Sequence, residues 1–344
     1  MVAHRFGRSS PFSVGLEEEL FVVDGETLAP APVPPGLLDG TRFKAELFTS
    51  MLELTTTVCS EVGEAVAELA ELRAEARSRV QESGLELAAV GTWPTAVSEQ
   101  EEVTPKEPLL RFAKYAGSSA RRQHCAGLHV HVGVASPEEC MGRLEAVLPW
   151  LPVLLAVSAN SPYAAGAETG LASTRAELLA LLPRSGAPPV FEGYEDWARF
   201  AEALVRLGVA DDLMRLWWDV RPHPRLGTLE VRVPDQPTRL TDTAAFAALV
   251  HALVAAADPG AAAADRAVYA QNRWAAARFG AGAGLIHPVT RELRGPQELL
   301  ADLGLGGIDG LVGLDQAGEQ LEATRGDGLR ALCERLVALT YDGL

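Results

Sequence analysis

The stretch Leu128-His129-Val130-His131-Val132-Gly133-Val134 constrains the fold more than any other. Strict alternation and β-branched residues specify a strand with Leu128, Val130, Val132 and Val134 on one face and two imidazoles on the other. Three further stretches share this two-faced character. In Val14 to Val22, a period of two puts Glu17 and Glu19 opposite Val14, Leu16, Leu20 and Val22. In Met51 to Val58, Glu53 shares its face with Thr55 and Thr57, against Leu52, Leu54 and Val58. In Gly227 to Val233, Glu230 and Arg232 stand against Leu229, Val231 and Val233.

A single strand of this kind is met whenever an antiparallel sheet packs one face on a core and leaves the other in water. The combination says more. A solvated face mixes Lys, Ser and Gln with its acids, whereas these positions read Glu, Glu, Glu, His, His, Glu and Arg, without a lysine. If the four strands share a sheet, that face is an oxygen-rich ligand field suited to Mg²⁺ or Mn²⁺ rather than structural zinc. Mg²⁺ held by carboxylates is usually completed by substrate phosphates, and Arg232 would then face phosphoryl charge.

The net charge of -16 argues against nucleic acid or an anionic membrane as the main partner, because either calls for a basic surface. Small-molecule chemistry fits better. Cys59, Cys125, Cys140 and Cys333 have no CxxC spacing and are too few for a disulfide scaffold, which points to a reducing cytoplasm. The apolar runs Val147 to Ala159 and Ala244 to Ala257 are shorter than the roughly 20 residues of a membrane-spanning helix. They read as buried helices.

Residues 1–12 read as a flexible lead-in, and residues 13–344 as a single domain with a helical C-terminal part. Val62 to Ser83 has the spacing of an amphipathic helix that covers the apolar back of the sheet. Further helices are expected over Leu109 to Arg122, Pro137 to Ser158, Thr169 to Leu182 and Asp196 to Leu207, with loops at Tyr163 to Glu168 and Ser185 to Glu195. Gly280-Ala281-Gly282-Ala283-Gly284 lacks the Lys-Ser/Thr of a P-loop and reads as a flexible turn. Antiparallel-type strands interleaved with helices make an α+β chain.

Read together, several motifs resemble one family. They are Gly15-Leu16-Glu17-Glu18-Glu19, Glu46 through Glu53 and Thr57, the His129/His131 strand, Ser158-Ala159-Asn160-Ser161-Pro162, Thr169-Gly170 with Arg175, Arg221-Pro222-His223-Pro224-Arg225 through Arg232, and Asn272-Arg273-Trp274 with Arg278. Their order over residues 13 to 300 is similar to that of the YbdK-type carboxylate–amine ligases of the glutamate–cysteine ligase 2 family. The resemblance implies a glutamine-synthetase-like fold, a curved and mainly antiparallel β-sheet bowl backed by helices that holds ATP and Mg²⁺. Carried over residue by residue, it implies Glu17, Glu19, Glu53, His129 and Glu230 as metal ligands and Arg232 as the phosphate-contacting arginine. Glu46, Arg175 and Arg221 fall at pocket positions. Trp93, where many relatives carry His, and the leucines after Arg175, where relatives often carry Trp, are departures.

The activity implied is ATP-dependent amide formation from a carboxylate and an amine, with glutamate and cysteine as the family default, and His131 is a candidate base. Three alternatives stand beside it: a phosphagen-kinase-like phosphotransferase, a non-catalytic nucleotide-binding scaffold, and a metal-dependent hydrolase built on the two histidines. Self-association into a homo-oligomer is left open.

Overall fold

The structure is a computed structural model and describes residues 2–305, 311 and 313–343. In chain order the strands are β1 (Val14–Asp24), β2 (Phe43–Ala45), β3 (Met51–Thr55), β4 (Leu85–Ala88), β5 (Leu128–Gly133), β6 (Tyr163–Ala164), β7 (Ala167–Glu168), β8 (Ser185–Gly186), β9 (Trp217–Trp218), β10 (Val220–His223), β11 (Thr228–Val231), β12 (Leu285–Ile286) and β13 (Leu293–Arg294). The helices are α1 (Val62–Gln81), α2 (Glu107–Ala116), α3 (Ser118–Arg121), α4 (Pro137–Val147), α5 (Leu151–Ser158), α6 (Thr174–Ala180), α7 (Tyr194–Arg206), α8 (Leu240–Ala256), α9 (Arg266–Phe279), α10 (Pro296–Asp302) and α11 (Gln316–Thr340).

Seven strands form one antiparallel sheet in the order β10-β11-β5-β1-β3-β2, with β4 also pairing with β1. All four strands expected from alternation are therefore in the same sheet. Their apolar faces merge: Leu16, Leu20, Leu54, Val130, Val132, Leu229 and Val231 are fully buried in one core with Leu69, Ala76 and Val80 of α1 and Phe246, Leu249 and Val250 of α8. Each such Leu or Val contributes about 1.5–3 kcal/mol of burial, which fixes the polar side chains on the opposite face.

One member of the apolar face breaks the pattern. Glu18, between Glu17 and Glu19 on β1, points into the core and is completely buried. Arg73 of α1 meets it with two guanidinium hydrogen bonds of 2.7 and 2.6 Å, and Gln236 and Thr243 donate to it at 2.8 and 2.7 Å. Arg73 also donates to the carbonyls of Thr238 and Thr340, which ties α1 to the start of α8 and the end of α11.

Several expected elements take a different form. Residues 2–12, read as a loose lead-in, run along the sheet, with the Arg5 amide donating to Pro224, that of Gly7 to Val134 and that of Phe12 to Gly133. Phe6 is buried there against Tyr194. The helix expected over Leu109 to Arg122 is split by Gly117 at φ 58°, a conformation that ends α2. Tyr163 to Glu168 forms the β6–β7 hairpin, and α6 starts only at Thr174 because Ser161 and Ser173 pair as a bridge before it. The helical run Pro137–Ser158 is long and apolar enough to cross a membrane, against the shorter runs expected, and 72% of its most apolar window is buried inside the fold. The Gly280–Gly282 turn is packed at its start, since a Cβ on Gly280 would lie 2.8 Å from that of Ala172, and open at Gly282.

Candidate active site

Strand register assembles the polar face. Glu17 lies opposite His129 on one side and Thr55 on the other, and Glu19 lies opposite Glu53. His131 faces Glu230, which in turn faces Arg221, and Glu53 faces Lys44 of β2. Lys44 overturns the expectation of a face without lysine. Its ammonium reaches Glu53 at 2.7 Å and Glu17 at 3.6 Å. Burial lowers its pKa, yet Glu53 and Glu17 outweigh that and hold it above the ordinary lysine value.

Two groups of side chains converge closely enough to share a cation: Glu17, His131 and Glu230, and Glu19, Glu46 and Glu53, with the donor atoms of each group within 4.8 Å of one another. Glu46 and His131 thus join the acids in ligand geometry. His129, expected as a ligand, stands between the groups, its Nδ1 3.3 Å from Glu17 and its Nε2 3.8 Å from Glu19. Burial and the nearby Arg232 guanidinium push its pKa down to about 3, so the ring is neutral. His131 differs: burial lowers its pKa, but Glu230 and Glu17 prevail and raise it. Thr228 bonds its Nδ1 at 3.1 Å and fixes the ring.

The carboxylates divide in the same way. Burial acts against ionisation of Glu17, but His131 and His129 hold it well below the usual range. Glu230 is likewise buried, and Arg221 and Arg232 hold it well below. In the second group burial raises all three acids, with Glu19 at about 7 and Glu46 well above its ordinary value; Glu53 adds to the rise of Glu19 and Glu46, and Glu17 adds to that of Glu53. Three crowded, desolvated carboxylates call for a cation. Together with the buried Nε2 atoms of His129 and His131, which have no hydrogen-bond partner, this donor set fits Mg²⁺ or Mn²⁺.

The arginines have unequal freedom. Arg221 is committed, donating to Glu230 at 2.6 and 3.1 Å and to the carbonyls of Met214 and Leu216. Arg232 pairs with Glu230 through one nitrogen and approaches His129 at 3.5 Å, leaving the rest of its fork toward the cleft. Arg175 is buried, donates to the carbonyls of Val233 and Arg232, and keeps its Nε unpartnered. It lies so close to β5 that a Cβ at Gly127 would collide with its guanidinium. Behind it, Asp235 accepts from Ser161, Ser173 and the Asn160 amide at 2.6, 2.8 and 2.9 Å. The Asn160-Ser161 motif therefore holds the wall of the site rather than the ligand.

Two clefts open on this face. One, beside Glu19 and Glu46, is lined by Arg175, Arg232, Gln123 and Trp217 and also by Leu179 and Leu182, two of the leucines after Arg175. The other, beside Glu17 and His131, is lined by Lys44, Ser13, Thr55, Thr57 and Thr228 and by the apolar Val14, Leu16, Val58 and Leu226. Trp93 reaches neither; it is buried and donates to the Leu28 carbonyl at 2.9 Å. Arg273 is also structural, braced on Asp219 at 2.6 Å beside Tyr269. Arg121 and Arg122 hold the Glu99–Glu101 segment through the carbonyls of Glu99 and Glu101 and the Glu99 carboxylate.

The fold is found in solved ligases. A glutamate–cysteine ligase from Francisella tularensis, in complex with AMP, superposes with a TM-score of 0.70 at 15% identity, over 96% of this chain and 89% of that one. A bifunctional glutathione synthetase from Pasteurella multocida gives 0.67 at 15% identity, over 96% and 53%. Sequence likeness is closer to a candidate glutamate–cysteine ligase 2-3 of Rubrobacter xylanophilus, 40% identical over 82% of this chain and 79% of the relative. A candidate glutamate–cysteine ligase 2 of Sorangium cellulosum is 36% identical over 80% and 77%. Together with the acid-lined sheet face, these likenesses define an ATP-dependent ligase acting on small molecules. The chain belongs to glutamate–cysteine ligase family 2, whose profile it matches over residues 13–335.

Proposed function

We propose that the protein joins a carboxylate to an amine through an acyl phosphate, consuming ATP and releasing ADP and phosphate. The observation that carries this reading is the pair of acidic groups, Glu17–His131–Glu230 and Glu19–Glu46–Glu53, set side by side on one sheet face with Arg232 beside them. Mg²⁺ held by these groups would neutralise phosphate charge and orient the transferred phosphoryl group. The largely apolar cleft beside Glu17 and His131 takes the nucleotide, and the arginine-lined cleft beside Glu46 takes the acid. Arg175 orients the acid, whose oxygen attacks the γ-phosphorus as ADP leaves. Arg232 faces the charge that builds on the phosphoryl oxygens. The amine then attacks the acyl carbon, and phosphate departs with the oxygen that the acid contributed. Glu46 and His131 act here within the ligand groups, and Lys44 balances the acids from the nucleotide side.

The test follows that oxygen. Acid labelled with ¹⁸O in its carboxylate is expected to transfer one labelled oxygen to inorganic phosphate for each amide formed, with ADP as coproduct. AMP with pyrophosphate, unlabelled phosphate, or a phosphorylated guanidine would each overturn the reading. A screen of amino acids and amines by ADP release, with mass measurement of the product, identifies the pair to label.

A further inference from the structure

The acidic chain carries a locally basic cavity that adjoins the arginine-lined cleft. Phe112, Arg215 and Trp217 line both spaces. The inner cleft has about 130 Å³, room for a small polar group, while the outer vestibule has about 450 Å³, the size of a small-molecule site. Its walls include Lys114, Arg184 and Arg215, and its rings are Phe112, Tyr115 and Trp217.

Charge bookkeeping inside the vestibule leaves cations over. Asp211 pairs with Arg215 at 2.9 Å and with Arg111 at 3.5 Å, and Arg111 also meets Glu107 at 3.2 Å. Among the described residues, Lys114 and Arg184 have no carboxylate partner, and the Nη2 of Arg184 is buried without any hydrogen bond. Arg184 is held in position all the same. The parallel pairing of β8 with β9 brings it beside Trp217, its guanidinium lies 5.6 Å from the ring centroid, and its Nε donates to the Arg215 carbonyl at 3.0 Å. Its backbone is in the left-handed region at φ 62°, a conformation that costs a non-glycine residue energy and is kept where the surroundings enforce it.

A fixed guanidinium and a lysine, neither paired with a carboxylate, and three rings around a cavity of this size select a flat anion. We infer that the vestibule is a binding site for an aromatic carboxylate, carried by the portion of the substrate that projects outward from the reacting centre. The identity of the occupant as part of the substrate rests on the ligase reading, whereas the site does not.

Benzoate is the probe, titrated calorimetrically into the full chain without ATP or Mg²⁺, with acetate and benzyl alcohol as comparisons lacking the ring or the charge. Benzoate should bind at least about tenfold more tightly than either, and Arg184→Gln should weaken it by about tenfold or more, the effect of losing one charge-assisted hydrogen bond. Lys114→Gln, which removes a solvent-side charge, should weaken it in the same direction. In turnover, Arg184→Gln should raise KM for aryl-bearing substrates while leaving kcat. No benzoate binding, or binding unchanged in both variants, would overturn the site while leaving the ligase reading intact. Arg184-dependent benzoate binding in a protein that releases no ADP with any acid and amine would support the site and remove the ligase reading.

Discussion

Glu19 and Glu53 are register partners across β1 and β3, two carboxylates directly opposite each other on the same sheet face. Like charges in that position oppose pairing, and burial adds to the cost. Glu19 is raised to about 7 by burial, with Glu53 adding to the shift against the pull of Arg175 and Arg232. A carboxyl group that is more basic folded than unfolded favours the fold below its unfolded pKa and loses that advantage as pH rises through the folded one. Without divalent metal, the contribution of Glu19 to stability is therefore expected to fall between about pH 4.5 and 7, by an amount on the order of a few kcal/mol. Mg²⁺ should restore it most strongly above pH 7. Melting curves with and without Mg²⁺ across this range check the expectation, and a metal effect independent of pH would refute it.

Glu53→Ala should abolish Mg²⁺-dependent turnover yet leave a folded protein, because its side chain lies on the cleft face and its loss opens no core cavity. Glu230→Ala should be equally inactive but less stable, since it strips Arg221 and Arg232 of their shared counter-ion. Activity assays paired with melting curves separate the two outcomes.

Arg232→Lys keeps the charge and loses the fork. One guanidinium nitrogen is already engaged by Glu230, so phosphate contact depends on the others. Turnover is expected to drop by roughly 10³, the scale of losing an arginine that meets transition-state charge. Wild-type rates in this variant would reduce Arg232 to a partner of Glu230.

Arg73→Ala should destabilise the protein by about 3–5 kcal/mol, because it leaves the Glu18 carboxylate buried without its cation. Replacing both members with apolar residues of similar size should recover much of that loss. Denaturant titration of the single and double variants measures the coupling.

The sheet was legible because four strands carry a period of two, broken in β1 only by Glu18, and burying their apolar faces fixes both the pairing and the register. Lys44 escaped the same reading because β2 has three residues, too few for alternation to register after a proline-rich loop. Arg184 and Trp217 meet through a two-residue parallel pairing between segments 32 positions apart, a contact that local pattern cannot encode. Asn160, Ser161 and Arg273 belong to motifs that look chemical in one dimension. In the fold they serve Asp235, Gln236 and Asp219, whose buried oxygens need those donors.

Three consecutive glutamates make β1 ambiguous as a bare string, since sliding it by one position would trade two carboxylates for one on the cleft side. Arg73 removes the ambiguity. A shifted strand would press Glu17 and Glu19 into a core that offers a single guanidinium, while Glu18 would stand alone where ligands must converge in threes. The core pair thus works as a key cut for one register of the central strand, and it does so without help from any metal or nucleotide.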